Sequence, residues 1–207
     1  MILCETIGEH SQIIPLNEVL KWPAHIKKGK NYCVKLNYYE MRRSKIVQLR
    51  KDAKFISVNR NPLDIAASFK KIEEVRGRAR WMLLGGGDLN TPIYLDAVKQ
   101  YQAFLAWRNK FKDLPNHLVL NFEDMILKPE ETFKKVFDFL GFEFEERIKD
   151  FINKYVSDDP VPNYPGTPAD DRPYQAFSVS PNKKIGSYKD VLTKQEIWRI
   201  NAFLSGN

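Results

Sequence analysis

The chain has 207 residues, a formal net charge of +7 and a hydrophobic content of 43%. These values are typical of a globular protein and exclude a disordered chain, so we predict a single domain over residues 1–207. The positive charge favours an anionic ligand. Two cysteines and three dispersed histidines are too few for a disulfide framework or a recognisable metal site, and we expect the reducing environment of the cytoplasm. No apolar run approaches the roughly 20 residues of a membrane span.

The first part of the chain alternates predicted helices and strands. Residues 1–9 are predicted to form a short helix, 32–36 a strand, 42–51 a basic helix and 55–59 a second strand. A strand, a helix and a further strand are what a parallel sheet requires, because parallel neighbours need a crossover connection. We therefore predict an α/β fold with a parallel sheet.

Residues 55–68, with the sequence FISVNRNPLDIAAS, combine a strand, a tight turn and the start of a helix. Asn61 is a typical N-cap and Pro62 a typical first helical residue. Asp64 then places a carboxylate in the first turn, where it suits the helix dipole.

Arg60 and Ser68 are the candidate ligand-binding residues of this stretch. Arg60 falls at the carboxyl end of the strand, where ligands bind in open α/β sheets. The side chain of Ser68 leans back toward the helix N-terminus. A guanidinium and a hydroxyl beside a helix N-terminus form a suitable phosphate site. An exposed arginine and a solvent-facing serine explain the spacing equally well.

The second half of the chain continues the alternation. Thr91 and Pro92 start a long helix, and a third strand is predicted over residues 117–122, ending at Glu123 and Asp124. Adjacent carboxylates on a strand point to opposite sides, which favours a structural role for this pair over acid–base chemistry.

Further helices complete the chain. One is predicted from Pro129 to Gly141, another follows it, and the last begins at a capping box of Thr193 and Glu196. Between them, residues 157–181 contain six prolines and no periodicity. A loop of this length is typical of a functional lid or a disordered segment.

The chain resembles the sulfotransferases that use 3′-phosphoadenylyl sulfate over nearly all of its length, and the resemblance rests on three separated stretches that occur in the right order. RNPLDIAAS, at 60–68, resembles the segment in which an arginine and a serine hold the 3′-phosphate. LNFEDMILKPEETFKKVFDFLG, at 120–141, resembles the strand, acidic pair and helix found further along. KKIGSYKDVLTKQE, from residue 183, resembles the loop that closes over the nucleotide, with Tyr188 where a tryptophan is common.

This resemblance implies a three-layer fold, a parallel sheet flanked by helices, related to the P-loop nucleotide kinases. It also implies a nucleotide-binding set in this chain, namely Arg60, Ser68, Lys183, Lys184 and Gly186.

The chain departs from the family at its start. Sulfotransferases carry a strand and a glycine-rich loop whose lysine or arginine binds the 5′-phosphosulfate, and residues 1–5 (MILCE) resemble the helix that follows this loop. We therefore expect the chain to lack that strand and loop. Backbone amides and a cation there stabilise the charge left on the bridging phosphate oxygen, so their loss lowers affinity and rate. An upstream coding segment would restore both.

The resemblance also narrows the search for a general base, which must accept the proton of the attacking group. Several members use a histidine in a lysine-containing segment after the second strand, and here Lys35 is kept while Asn37 replaces the histidine. Other branches use a glutamate, which implies Glu5 or, second, Glu18, with His10 third. Lys35 is expected to contact the bridging oxygen or the sulfuryl group. Ordinary solvated side chains are the alternative for each.

The implied function is transfer of a sulfuryl group from 3′-phosphoadenylyl sulfate, the co-substrate, to a hydroxyl or amine of a small molecule or glycan. The alternative is a truncated or degenerate, catalytically inactive protein of the same fold that binds a nucleotide or anionic ligand. A nucleic-acid binder rests on charge alone, since nothing resembles RNA-binding motifs. A phosphotransferase would need a phosphate-loop lysine and magnesium ligands. We expect no metal, nucleic-acid or membrane partner.

Overall fold

The computed structural model describes residues 2–16, 29–34, 53–76, 90–156 and 185–206. The predicted helix at 42–51 and the proline-rich segment at 157–181 lie outside these residues.

Helices and short strands follow one another along the described part of the chain. The first are α1 (Ile2–Gly8), β1 (Ile13–Leu16), β2 (Asn31–Val34), β3 (Phe55–Asn59), α2 (Pro62–Arg76) and α3 (Ile93–Arg108). They are followed by β4 (His117–Asn121), α4 (Phe122–Leu127), α5 (Pro129–Leu140), α6 (Glu146–Val156), α7 (Tyr188–Val191) and α8 (Lys194–Leu204).

The chain divides into two compact units. The first unit draws on residues 1–40 and 123–184, and the second on residues 41–122 and 185–207. A single domain over the whole chain remains a prediction.

In the first unit, β1 and β2 form a parallel pair that runs from Ile13 opposite Asn31 to Leu16 opposite Val34. The helix predicted at the start of the chain is confirmed as α1. The strand predicted at 32–36 is confirmed as β2 up to Val34, and its last two residues lie outside the described part of the chain. The strand β1 was not predicted, because a proline within four residues argues against a strand.

Helix α1 approaches β1 closely at Gly8. A Cβ atom at this position would lie 2.6 Å from the Cβ atom of Pro15. Any side chain larger than hydrogen would therefore push the helix away from the strand.

The helices α5 and α6 supply the apolar core of the first unit. Their fully buried side chains recur at helical spacing and belong to Phe133, Val136, Phe137, Ile148 and Ile152. Gly141 ends α5 in a left-handed conformation with φ of 79°, as the sequence predicts.

The prediction that Glu123 and Asp124 lie on a strand is wrong. The strand β4 ends at Asn121, and both carboxylates occupy the first turn of α4, where the helix dipole favours them. The carbonyl oxygen of Asp124 accepts hydrogen bonds from the Lys128 N–H at 2.9 Å and the Thr132 hydroxyl at 3.1 Å. The pair therefore belongs to a helix junction.

The second unit is built on β3 and β4, which pair in parallel from Phe55 opposite His117 to Asn59 opposite Asn121. Because these strands are parallel and separated by helices in the sequence, the predicted α/β class is confirmed. The helices α2 and α3 share an apolar cluster with the C-terminal segment, formed by Ala66, Ala67, Tyr94, Val98, Leu192 and Ile200.

The capping box predicted for the last helix is confirmed. The Thr193 hydroxyl accepts a hydrogen bond from the Glu196 N–H, and the Glu196 carboxylate accepts one from the Thr193 N–H. Among the described helices, none is both long enough and apolar enough to cross a membrane. Within the same residues, no three potential ligands cluster to hold a metal ion.

A buried polar pair links the two strands of the second unit. His117 Nδ1 lies 2.9 Å from the Phe111 carbonyl oxygen, and His117 Nε2 lies 2.7 Å from Ser57 Oγ. Since a carbonyl only accepts, Nδ1 carries the proton and Nε2 accepts from the Ser57 hydroxyl. Burial lowers the pKa of His117, and the nearby charge of Arg108 lowers it further, although the bond to Phe111 acts in the opposite direction.

This lowered pKa predicts that the protein loses stability in mild acid. The folded His117 binds a proton less readily than the unfolded one, whose pKa is near 6.5. The unfolded state therefore takes up more protons below that pH, and the contribution of neutral His117 to stability is lost as the pH falls through the folded pKa. Urea unfolding between pH 7.5 and 5.0 should show a steeper decline for the wild type than for His117→Gln. Equal slopes would contradict the assignment.

Candidate functional site

Arg60 and Phe122 meet at the carboxyl edge of the β3–β4 pair. Each follows a strand directly, after the last pair, Asn59 and Asn121. The guanidinium carbon of Arg60 lies 4.7 Å from the centroid of the Phe122 ring. This cation–π contact orients the guanidinium without neutralising its charge.

The main chain of Arg60 is held by a different element. Its N–H donates a hydrogen bond of 2.9 Å to the hydroxyl oxygen of Tyr101, which lies on α3. The backbone and the guanidinium of Arg60 are thus held by separate contacts.

Helix α2 begins beside Arg60 as the sequence predicts. Asn61 Oδ1 accepts a hydrogen bond of 2.9 Å from the Leu63 N–H, and its carbonyl accepts one of 3.1 Å from the Ile65 N–H. Asn61 is therefore the N-cap and Pro62 the first helical residue. The positive end of the helix dipole starts immediately after Arg60.

Ser68 lies in the second turn of α2 and is partly buried. It follows Asp64 by four residues, so the two side chains share one face of the helix. The predicted strand, turn and helix that carry Arg60 and Ser68 are confirmed, and binding of a phosphate by the two residues remains a prediction.

Asp64 connects α2 to the C-terminal segment. The residue is only 1% exposed, and its carboxylate accepts hydrogen bonds from the Gly186 N–H at 2.9 Å, the Tyr188 N–H at 3.1 Å and the Ser187 hydroxyl at 3.3 Å. Gly186 adopts a φ of 73°, a left-handed conformation that favours glycine. The Gly186 N–H is thus engaged by Asp64, and binding of a nucleotide by this residue remains a prediction.

A second polar contact lies about two turns further along α2. The Lys70 ammonium donates to both carboxylate oxygens of Glu196, at 2.9 and 2.8 Å, and to the Val191 carbonyl at 3.2 Å. Burial raises the pKa of Glu196, but the hydrogen bonds from Lys70 and Thr193 outweigh this effect and the net pKa is lowered. Glu196 is therefore charged at neutral pH and pairs with Lys70.

The structure describes less about the other predicted site residues. Glu5 lies in α1, in the first unit. The remaining ones fall outside the described residues, namely Glu18, Lys35, Lys183 and Lys184.

His10, the third candidate for the base, is a core residue of the first unit. It is 3% exposed, and its ring contacts those of Phe137 and Phe142. Its Nδ1 accepts a hydrogen bond of 3.1 Å from the Gln12 N–H, and its Nε2 lies 3.4 Å from a Glu145 carboxylate oxygen. A base must reach the acceptor, so this enclosure argues against His10 in that role.

Three residues that shape this region were not recognised in the sequence: Asp64 as a connector, Tyr101 and Phe122. The pairing of β3 with β4 would have placed Phe122 beside Arg60, because both follow the strands directly. No sequence signal pointed to the hydroxyl of Tyr101 or to the partners of Asp64.

Known proteins resemble this chain in sequence and in fold. The sequence matches the Sulfotransferase family over residues 14–146. It is 30% identical over 115 residues to Sulfotransferase 2A6 of Rattus norvegicus, an alignment that covers 51% of this chain and 37% of the rat protein. The match therefore spans little more than a third of the length of that curated relative.

The fold resembles the crystal structure of mouse sulfotransferase SULT7A1 complexed with PAP. The TM-score is 0.58 at 20% sequence identity, over 96% of this chain and 76% of the mouse protein. At this identity the likeness shows a shared fold.

The contact between Tyr101 and Arg60 predicts a measurable loss of stability when the hydroxyl is removed. Tyr101→Phe leaves the partly buried Arg60 N–H without its acceptor, which costs about 1–3 kcal/mol of unfolding free energy. Urea denaturation measures the loss.

Tyr94→Phe is the matched control on the same helix. Tyr94 is buried, and its hydroxyl makes no hydrogen bond to another residue in the part of the chain that the structure describes. Its removal should change the unfolding free energy by less than about 0.5 kcal/mol. Equal effects of the two substitutions would contradict the role given to Tyr101.

Proposed function

Because the chain belongs to the sulfotransferase family, we propose that it transfers a sulfuryl group from 3′-phosphoadenylyl sulfate to a hydroxyl or amine of a small molecule or glycan. The observation that carries the proposal is the placement of Arg60, which is held by Tyr101 and Phe122 beside the capped start of α2. The mouse relative of the same fold was crystallised with PAP, which supports a nucleotide of this class.

The proposed reaction moves the sulfuryl group from the bridging phosphate oxygen of the nucleotide to an oxygen or nitrogen atom of the acceptor. The acceptor atom attacks sulfur, the bond between sulfur and the bridging phosphate oxygen breaks, and adenosine 3′,5′-bisphosphate leaves. The acceptor proton passes to a base. Negative charge develops on the bridging oxygen, which a nearby cation stabilises.

Arg60 and Ser68 act at the end of the nucleotide that does not react. The Arg60 guanidinium donates two parallel N–H groups to the 3′-phosphate, the Ser68 hydroxyl donates a third hydrogen bond, and the α2 dipole adds a favourable field. The loop at Gly186, with Lys183 and Lys184, also contacts this end of the nucleotide. Because these contacts persist through the reaction, they affect nucleotide affinity more than turnover.

The chemical step falls to other residues. Glu5, or alternatively Glu18, removes the acceptor proton. Lys35, which follows the last residue of β2 in the sequence, contacts the bridging oxygen or the sulfuryl group.

Titration with adenosine 3′,5′-bisphosphate tests the phosphate site. Arg60→Ala removes a charged, bidentate donor and should weaken binding about 10- to 100-fold, as isothermal titration calorimetry would show. Arg60→Lys keeps the charge but loses the planar fork, so its affinity should lie between the two.

Arg147→Ala is the matched control for this titration. It removes the same charge from a side chain that is 52% exposed and pairs only with Glu145 among the described residues. Its affinity should stay within about twofold of the wild type. No binding by the wild type, or equal binding by Arg60→Ala, would overturn the site.

Glu5→Gln and Glu18→Gln identify the base. Removing a general base lowers turnover about 10²- to 10⁴-fold, whereas removing a solvated carboxylate has little effect. Assays at saturating 3′-phosphoadenylyl sulfate, with a panel of phenols, alcohols and amines, should show the large loss for Glu5→Gln and nearly normal turnover for Glu18→Gln. The reverse result would assign the base to Glu18. Tight nucleotide binding without transfer to any acceptor would instead indicate an inactive binding protein.

A further inference from the structure

We propose that Asp64 is a positioning residue for the 3′-phosphate site, which holds the turn at 185–188 against the face of α2 that carries Ser68. The proposal rests on the proposed function, since it concerns how the C-terminal loop reaches the nucleotide. Asp64 itself touches no reacting atom.

Asp64 holds the turn at 185–188 through three hydrogen bonds. The two carboxylate oxygens share three donors, the N–H groups of Gly186 and Tyr188 and the hydroxyl of Ser187. Hydrogen bonds to an ionised acceptor are shorter and stronger than neutral ones, and two backbone donors fix the main chain itself. The position of the turn is therefore set by one side chain.

A buried carboxylate beside a phosphate site calls for an explanation, because two negative groups repel each other. At Asp64 the charge is offset by the three donors and by the positive end of α2. The repulsion is thereby reduced, and the attachment of the turn remains.

The attachment places the turn at 185–188 on the face of α2 that carries Ser68. Asp64 and Ser68 lie one turn apart on α2, with Cβ atoms about 5–6 Å from each other. Since the turn is bonded directly to the Asp64 carboxylate, its position is set within about one helical turn of the Ser68 side chain.

The C-terminal segment does not depend on Asp64 alone. Lys70 holds Glu196 and the Val191 carbonyl, and Leu192 and Ile200 are buried in the apolar cluster with α2 and α3. Because this second set of contacts remains, loss of Asp64 should release the turn while the helix α8 stays in place.

Asp64→Asn tests the proposal with two nucleotides that differ in one phosphate. The asparagine keeps one acceptor oxygen, and its amide nitrogen faces the donor on the other side, so one bond becomes a contact between donors. Adenosine 3′,5′-bisphosphate should bind about tenfold more weakly to this variant, whereas adenosine 5′-monophosphate should bind within about twofold of the wild type.

Lys70→Gln is the control for general loosening of the same segment. It should lower the melting temperature and leave both affinities within about twofold. Should Asp64→Asn not fold, Gly186→Ala disturbs the turn from the other side, since its φ of 73° is strained for alanine while no atom of the described residues lies within 4 Å of the added Cβ. It should show the same selective loss.

The outcomes separate the two proposals. Equal weakening of both nucleotides, or unchanged binding of the bisphosphate, would overturn the role of Asp64 and leave the proposed function standing. Failure of the wild type to bind the bisphosphate would overturn both.

Discussion

The second unit depends on a carboxylate that is buried at the start of a helix. An ionised group out of water is costly unless its hydrogen bonds are made, and Asp64 makes them with residues 122 to 124 positions later in the chain. The start of α2 and the turn before α7 are therefore mutually dependent. The apolar cluster around Ala67 and Leu192 buries further surface between the same segments. Apolar burial is not directional, so the hydrogen bonds to Asp64 determine how the turn is oriented on α2.

Arg60, too, is held in place by contacts from other elements of the second unit. Tyr101 fixes its main chain and Phe122 its guanidinium, and neither contact uses a carboxylate. An aromatic face orients a cation without neutralising its charge.

Local patterns in the sequence predicted local structure well. The N-cap at Asn61, the left-handed Gly141 and the capping box at Thr193 each depend on residues within one helical turn, and each is confirmed. Long-range contacts were not predictable in this way, because the partners of Asp64 are set by packing of distant segments. The family was recognised because several motifs occur in the expected order. No single motif would have been sufficient. The two errors have different causes: β1 was missed because it contains a proline, and at Glu123 the apolar pattern did not mark where the strand β4 ends.

The hydrogen bond between Ser57 and His117 has a consequence at the far end of its strands. Ser57 lies opposite Val119, so the bond runs diagonally and forms in only one alignment of β3 with β4. A slip of one residue would break it, leave two buried polar groups unpaired and separate Arg60 from Phe122. This buried pair thus stabilises the one alignment of β3 with β4 that places Arg60 against Phe122.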